Sequence, residues 1–407
     1  MKLPLFESQL DQALASGQIA GAILLAADDN GVIYQNPAGR RGIDQDAPMD
    51  LDTVVWYASM TKAVTAACAM QLVEQGKLSL DAPAAKVLPE LDGIQVMEGF
   101  DAEGKARLRP PKSQPTLRQL LTHSSGLAYE IWNVDAGREL EQRGVPNILS
   151  GTRATFERPL QADPGERWEY DVGIDFAGRM VEEVSGMRLG EYMKANLFAP
   201  LGMTEAGFTP RPDQTTRMAT VHARNADLSL SPYPFELPQP PEVEMGGHGL
   251  FGTASDYLRF QRMILGGGQL QGARVLQSET VAQMSQNQMG DCSVKAMPAA
   301  LPYSHAVDMY PGIDCKWGLS FMINTAQTPQ GRSAGSLAWA GLANSYYWID
   351  AKKQVCGLFV TQILPFYDPV VVPLLGTFET EIYQSLGKER SYFSSASKLS
   401  SSAPSST

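Results

Sequence analysis

The sequence predicts an α+β fold in which an antiparallel sheet, built from both ends of the chain and flanked by helices, carries an inserted, mainly helical lobe. Three observations lead there. Strand signals gather at the two ends, at Ala20–Ala27 and Val32-Ile33-Tyr34 and again at Ser345–Ile349 and Gln354–Ile363. Helix signals with clear stops fill the middle. One of those helices, beginning near Ala63, carries no charge on any face until Gln71 and Glu74, so it is buried all round. At 407 residues the chain suits two lobes or one large unit. The expected division is 1–58 with 245–388 as an α/β lobe and 59–244 as the helical lobe, leaving 389–407 as a disordered tail. Nine of the last seventeen residues are serine, which motivates the tail.

Taken in order, residues 5–16 read as a helix with Leu5, Phe6, Leu10, Ala13 and Leu14 on one side, stopped by Gly17. The Asp28-Asp29-Asn30-Gly31 stretch between two apolar runs reads as a hairpin whose Asn-Gly supplies positive φ angles. Gly76 ends the charge-free helix, and the Pro- and Gly-rich stretch 82–115 reads as a surface excursion. Thr116 and Gln119 form a capping-box signal. Helices follow at about 172–185 and 190–198, closed by Gly186 and by Pro200 with Gly202. Gly246–Gly252 reads as a tight loop ahead of an amphipathic helix to about Leu265. The turn Asp350–Lys353 joins two antiparallel strands, and a helix at about 371–386 completes the fold.

Composition narrows the function. A net charge of −11 argues against nucleic acid, since phosphate binding needs concentrated Lys and Arg. No apolar run approaches the roughly 20 residues needed to span a bilayer, and the N-terminal segment is polar and amphipathic, so a cytoplasmic protein is expected. The four cysteines and four histidines show no ligand spacing; free thiols, no metal and no cofactor are expected.

Chemistry enters at Trp56-Tyr57-Ala58-Ser59-Met60-Thr61-Lys62. Residues three apart on a helix share a face, which sets a hydroxyl beside an amine. Ser385…Lys388 and Ser395…Lys398 match the same pattern, but only Ser59 stands at the mouth of a buried helix. Gly331-Arg332-Ser333-Ala334-Gly335 matches a nucleophile elbow. It lacks the preceding strand, and no histidine follows His305, so the match is a loop coincidence. Serine needs a base, and a buried lysine whose neutral form is accessible near pH 7 can serve as one. Tyr170 is the candidate third group, with Lys62 beside it expected to favour a phenolate.

Five segments in order carry a family resemblance: Ala58–Lys62, Leu120–Leu127, Pro164–Tyr170, Gly246–Leu250 and Trp339–Leu342. From about residue 10 to 385 the chain resembles the serine β-lactamase and penicillin-binding-protein superfamily, and within it the family VIII carboxylesterases. It is also similar to the fungal statin side-chain acyltransferases, including at Glu98-Gly99-Phe100-Asp101 and Arg107-Leu108-Arg109. The resemblance implies a β-lactamase/transpeptidase-like fold with the site between the lobes. It implies Ser59 as nucleophile, Lys62 and Tyr170 as acid–base pair, and the backbone N–H groups of Ser59 and Leu342 as oxyanion hole. Trp339, Gly341, Tyr129, Trp132 and His248 are the expected substrate-binding residues, with Gly341 allowing close approach to the substrate.

Two departures set the expected substrate. The superfamily's Tyr-x-Asn element reads Tyr170-Asp171-Val172, so one orienting amide is absent. Trp339 stands where penicillin-recognising enzymes carry a lysine, and an indole cannot attract a carboxylate. A short-chain, neutral carboxylic ester is therefore the expected small-molecule partner. Transfer of the acyl group to an alcohol and weak β-lactam hydrolysis are the alternatives. Arg332 is a candidate to restore positive charge, and His123 is expected to hold the turn after its helix.

Overall fold

The computed structural model describes residues 1–400. Seven strands form one antiparallel sheet: β1 (Gly21–Asp28), β2 (Val32–Gly39), β3 (Cys315–Trp317), β4 (Met322–Asn324), β5 (Leu337–Gly341), β6 (Ser345–Asp350) and β7 (Val355–Val360), in the order β3-β4-β5-β6-β7-β1-β2. The N-terminal hairpin thus sits against β7, with Ile23 opposite Val360 and Asp28 opposite Val355. Every residue of β5, β6 and β7 is buried, as expected of strands covered on both faces.

The helices that position the site are α1 (Pro4–Ala15), α2 (Thr61–Glu74), α3 (Leu117–Leu121), α4 (Gly173–Ser185), α5 (Ala254–Leu265) and α6 (Val371–Ser400). Thr116 and Gln119 make the expected capping box at α3. All residues of α2 from Thr61 to Leu72 are buried, and apart from Lys62 none of them is charged. It packs against α4. Helix α5 covers the sheet through Gln261, whose amide donates to the carbonyls of Trp348 and Gly357 at 3.1 and 2.8 Å. Tyr257 on the same helix donates to the Met60 carbonyl at 3.0 Å, tying the sheet layer to the start of α2. Residues 54–56 pair antiparallel with 251–253, so both crossings into and out of the intervening segment lie side by side.

One expectation is corrected. Neither Asn30 nor Gly31 takes a positive φ; the hairpin turn is held by the Asp28 carboxylate, which accepts from both backbone N–H groups at 2.9 Å. The segment 59–244, expected to be mainly helical, also carries strands. It contains a hairpin at 96–100 and 106–109, and residues 222–224 pair with 363–364. The last helix is described to Ser400 and so overlaps the start of the tail expected from 389. Residues 401–407 of that expected tail lie outside the described residues. No helix among the described residues is long and apolar enough to cross a membrane.

Candidate active site

The chain reaches Ser59 through a strained turn. Ala58 has φ +47°, a region that side-chain-bearing residues seldom occupy, and it precedes the hydroxyl directly. The end of β5 presses on this turn: a Cβ on Gly341 would lie 2.5 Å from the Tyr57 carbonyl oxygen and 3.4 Å from the Ala58 Cβ. Gly341 is therefore needed for the approach of strand to turn, and it also lines a cleft at Ser59. The same contact brings Leu342 beside Ser59, and the two line one cleft together.

Lys62 lies one helical turn further in and is 1 % exposed. Its ammonium has three N–H donors, and all three are engaged: Ser59 Oγ at 3.2 Å, Tyr129 OH at 2.9 Å and the Gly247 carbonyl at 2.7 Å. It makes no ion pair among the described residues. Burial pushes Lys62 down to about 8, with Asp175 and Asp171 opposing the shift. Its neutral form is thus within reach near neutral pH, as a base requires.

Tyr170 is brought to the same point but in the opposite charge state to the one expected. Its ring is walled in by His123, Trp339, Trp132 and Tyr129, with centroids 4.7 to 5.2 Å away. Burial drives its ionisation well up, and hydrogen bonding from Ser59 and Trp339 only partly offsets it. Desolvation therefore outweighs the nearby lysine, whose Nζ lies over the ring at 4.9 Å from the centroid. A phenol, not a phenolate, faces Ser59. The Trp339 indole N–H donates to the Tyr170 oxygen at 3.0 Å, a duty for Trp339 beyond covering an apolar group.

Tyr129 and Trp132 line the cleft, and Tyr129 adds the direct bond to Lys62. His248 lines it too; burial lowers its imidazole to about 3, so it is neutral there. His123 is fully buried with Nδ1 2.7 Å from Asp171 Oδ1, while Ser125 donates to Asp171 Oδ2 at 2.7 Å and Gly173 N–H to Oδ1 at 2.8 Å. That cluster anchors the turn carrying Tyr170 into α4. Arg332 is not part of the site. It is paired with Glu379 of α6 and with Tyr310, and lines neither cleft at Ser59.

Two small apolar clefts meet at Ser59. One, about 20 Å³, is lined by Trp56, Ile131, Ile148, Leu149 and Leu342 among others, and the second, about 10 Å³, by Trp132, Tyr170, Met297, Trp339 and Phe366 among others. Each has room for about one water molecule. Neither is lined by Arg or Lys, or by Asp or Glu. A far larger groove of about 580 Å³ lies around Arg153, Phe156 and Arg179 and does not include Ser59.

Sequence reasoning missed two partners of Lys62. One is the Gly247 carbonyl, in a bend read as a plain tight loop. The other is Asp175, wholly buried on α4, which accepts from the Gly247 N–H at 2.7 Å. A carboxylate among Ile174, Phe176, Ala177 and Met180 on the buried face of an amphipathic helix was the available signal.

A family model for Beta-lactamase matches residues 6–373. The chain belongs to the Beta-lactamase family. Among its relatives is monacolin J acid methylbutanoyltransferase of Aspergillus terreus, 32% identical over 93% of this chain and 95% of that protein. Lovastatin esterase of Penicillium rubens is 30% identical over 93% of this chain and 98% of its own length. In three dimensions a mutant of simvastatin synthase from Aspergillus terreus superposes with a TM-score of 0.82 at 33% identity, covering 95% of this chain and 97% of that one. The β-lactamase/transpeptidase-like fold is thus established, with its sheet and flanking helices. The chain is an enzyme of the serine β-lactamase-like superfamily, a hydrolase or an acyltransferase.

Proposed function

We propose that this enzyme cleaves short-chain, neutral carboxylic esters through an acyl-enzyme on Ser59. The observation that carries the reading is the Lys62 amine, 3.2 Å from Ser59 Oγ and lowered to about 8, at the junction of two clefts free of charged lining residues. Neutral Lys62 takes the Ser59 proton as Oγ attacks the ester carbonyl carbon. The backbone N–H groups of Ser59 and Leu342 receive the oxyanion, an arrangement in which one donor is typically worth about 10²–10³ in turnover. As the tetrahedral adduct collapses, the Tyr170 phenol gives its proton to the departing alcohol and is reprotonated from the proton Lys62 took. Water then enters by the reverse sequence and releases the acid.

Tyr170 also orients the substrate. The cleft it lines is the side on which the leaving alcohol must stand, so Trp132, Met297 and Phe366 contact the alcohol portion. The cleft with Ile148 and Leu149 receives the acyl group. Its apolar lining suits a neutral acyl group, and its lack of a cation disfavours carboxylate-bearing β-lactams and peptides.

A second reading keeps the same acyl-enzyme and replaces water by an alcohol. Its support is the similarity to a methylbutanoyltransferase, set against the comparable similarity to an esterase. Ser59→Ala is expected to abolish p-nitrophenyl butyrate hydrolysis with folding intact; full activity in that variant, or loss only on changing Ser333, overturns the proposal. Adding a competing alcohol separates the two acceptors. Ester formation no better than simple solvent competition leaves hydrolysis as the function.

A further inference from the structure

We infer that Asp175 is a positioning residue that sets the orientation and charge of Lys62 by way of the Gly247 peptide, an inference resting on the reading of Lys62 as base. The geometry is a relay through one residue. The Lys62 ammonium donates to the Gly247 carbonyl at 2.7 Å, and the Gly247 N–H donates to Asp175 Oδ1 at 2.7 Å. The carboxylate lies flat against that glycine: a Cβ there would fall 2.4 Å from Asp175 Oδ2, so no other residue fits without displacing it. Asp175 thereby fixes where the Gly247 carbonyl points, and that carbonyl fixes the lysine.

Its charge has a second effect. Around Lys62 stand Tyr129, Tyr170, His123, His248, Asp171 and Asp175 from the surrounding segments, with Arg158 behind Asp175. The tyrosines are held protonated and the histidines neutral by burial. Only the two aspartates bring negative charge, and burial raises Asp175 itself to about 6, so its charge is present near neutral pH and is lost below that. Asp171 is held by His123, Ser125 and the Gly173 N–H. Asp175 accepts one hydrogen bond, its Oδ2 has no hydrogen-bond partner among the described residues, and it is fully buried. A group that only held Gly247 needs no charge; an asparagine oxygen accepts the same N–H without the cost of burying an anion. The charge acts on Lys62, the cation to which Asp175 responds most strongly. It counters the desolvation that would otherwise leave the amine too weak a base to hold the serine proton.

The test compares the pH dependence of kcat/KM for p-nitrophenyl butyrate in the wild-type enzyme, Asp175→Asn and Gly247→Ala, with fluorophosphonate labelling of Ser59 as a second readout. Asn keeps the acceptor oxygen and removes the charge. The rising limb is expected to move down by about one pH unit where Asp175 is charged, so that at about pH 6–7 Asp175→Asn retains several-fold more of its own plateau rate than wild type does, the difference narrowing below about pH 6 as Asp175 itself takes up a proton. The plateau falls and KM changes little. Gly247→Ala, which pushes the carboxylate away, shifts the limb the same way. An unmoved limb in Asp175→Asn, whatever its plateau, overturns the inference, and so does loss of folding in that variant, because either result leaves a purely structural role. If wild-type Ser59 is not labelled at all, the esterase reading itself fails; if it is labelled and only the limb stays put, this inference fails alone.

Discussion

Two of the buried cations among the described residues, Lys62 and Arg332, are treated in opposite ways. Arg332 is 2 % exposed and Lys62 1 %. Arg332 faces Glu379 directly, with Nε 2.7 Å from Oε2 and the second nitrogen on Oε1, and its guanidinium lies 5.2 Å from the Trp348 ring centroid. Glu379 overcomes the desolvation, and the guanidinium is held above its already high range. Lys62 meets only neutral oxygens at contact distance, with its nearest negative charges one residue removed, and burial wins. A cation that serves only the fold is fully compensated. One that must give up its proton is left short of compensation.

Exchanging each for methionine breaks the comparison most directly. Lys62→Met is expected to lower kcat/KM by on the order of 10³ or more, since nucleophile and base act as a unit. Stability should fall less than in the arginine variant, because no ion pair at contact distance is opened and Asp175, raised by burial to about 6, can take up a proton instead. Arg332→Met should do the reverse. It strands Glu379, 3 % exposed, and removing one partner of a buried pair costs about 3–5 kcal/mol. Activity per folded molecule should persist. Denaturant unfolding and ester turnover on the same preparations check both, and a Lys62→Met protein that unfolds as readily as Arg332→Met would erase the distinction.

The wild-type pH profile sharpens it. The neutral amine is the working form, so kcat/KM should climb with pH and level off near 8, the value to which burial lowers Lys62. Over the acid part of that limb the rate should rise about tenfold per unit. Below the limb Lys62 holds its proton and cannot take another from Ser59. A flat profile between about pH 6 and 8 would mean that Lys62 is not the base.

How much of this was legible in the sequence follows from the range over which each signal acts. Ser59 and Lys62 are three residues apart on a helix with no charge, so pattern and burial could both be read locally. Tyr170 could be placed only through resemblance, because 108 residues separate it from Lys62. The two long strands β6 and β7 were visible in their β-branched and aromatic runs, whereas β3 and β4, three residues each, are too short to register a period of two. The charge state of Tyr170 was misjudged because the ring of aromatics that desolvates it comes from segments far apart in the chain. Asp175 and the Gly247 carbonyl escaped for a related reason. Their contact spans 72 residues and runs through the backbone, which leaves no mark in residue type.

Tyr129 gives the smallest of these effects and the finest test of the contrast. Its oxygen accepts one of the three ammonium protons of Lys62 at 2.9 Å, and burial keeps its own ionisation well above the ordinary phenol range. In Tyr129→Phe the ring stays to wall the cleft while that acceptor disappears. A hydrogen bond to a charged group contributes about 1.5–3 kcal/mol, part of which the neutral amine keeps by accepting the phenol proton instead. The charged form of Lys62 loses more than the neutral form. The limb should therefore shift to lower pH by a fraction of a unit, with a loss of about three- to tenfold on the plateau as the amine is less firmly aimed at Ser59. A larger KM with an unchanged limb would instead make Tyr129 a wall for the acyl group and nothing more. The direction of the limb carries the argument, since removing a partner from a fully compensated cation such as Arg332 would produce no such shift.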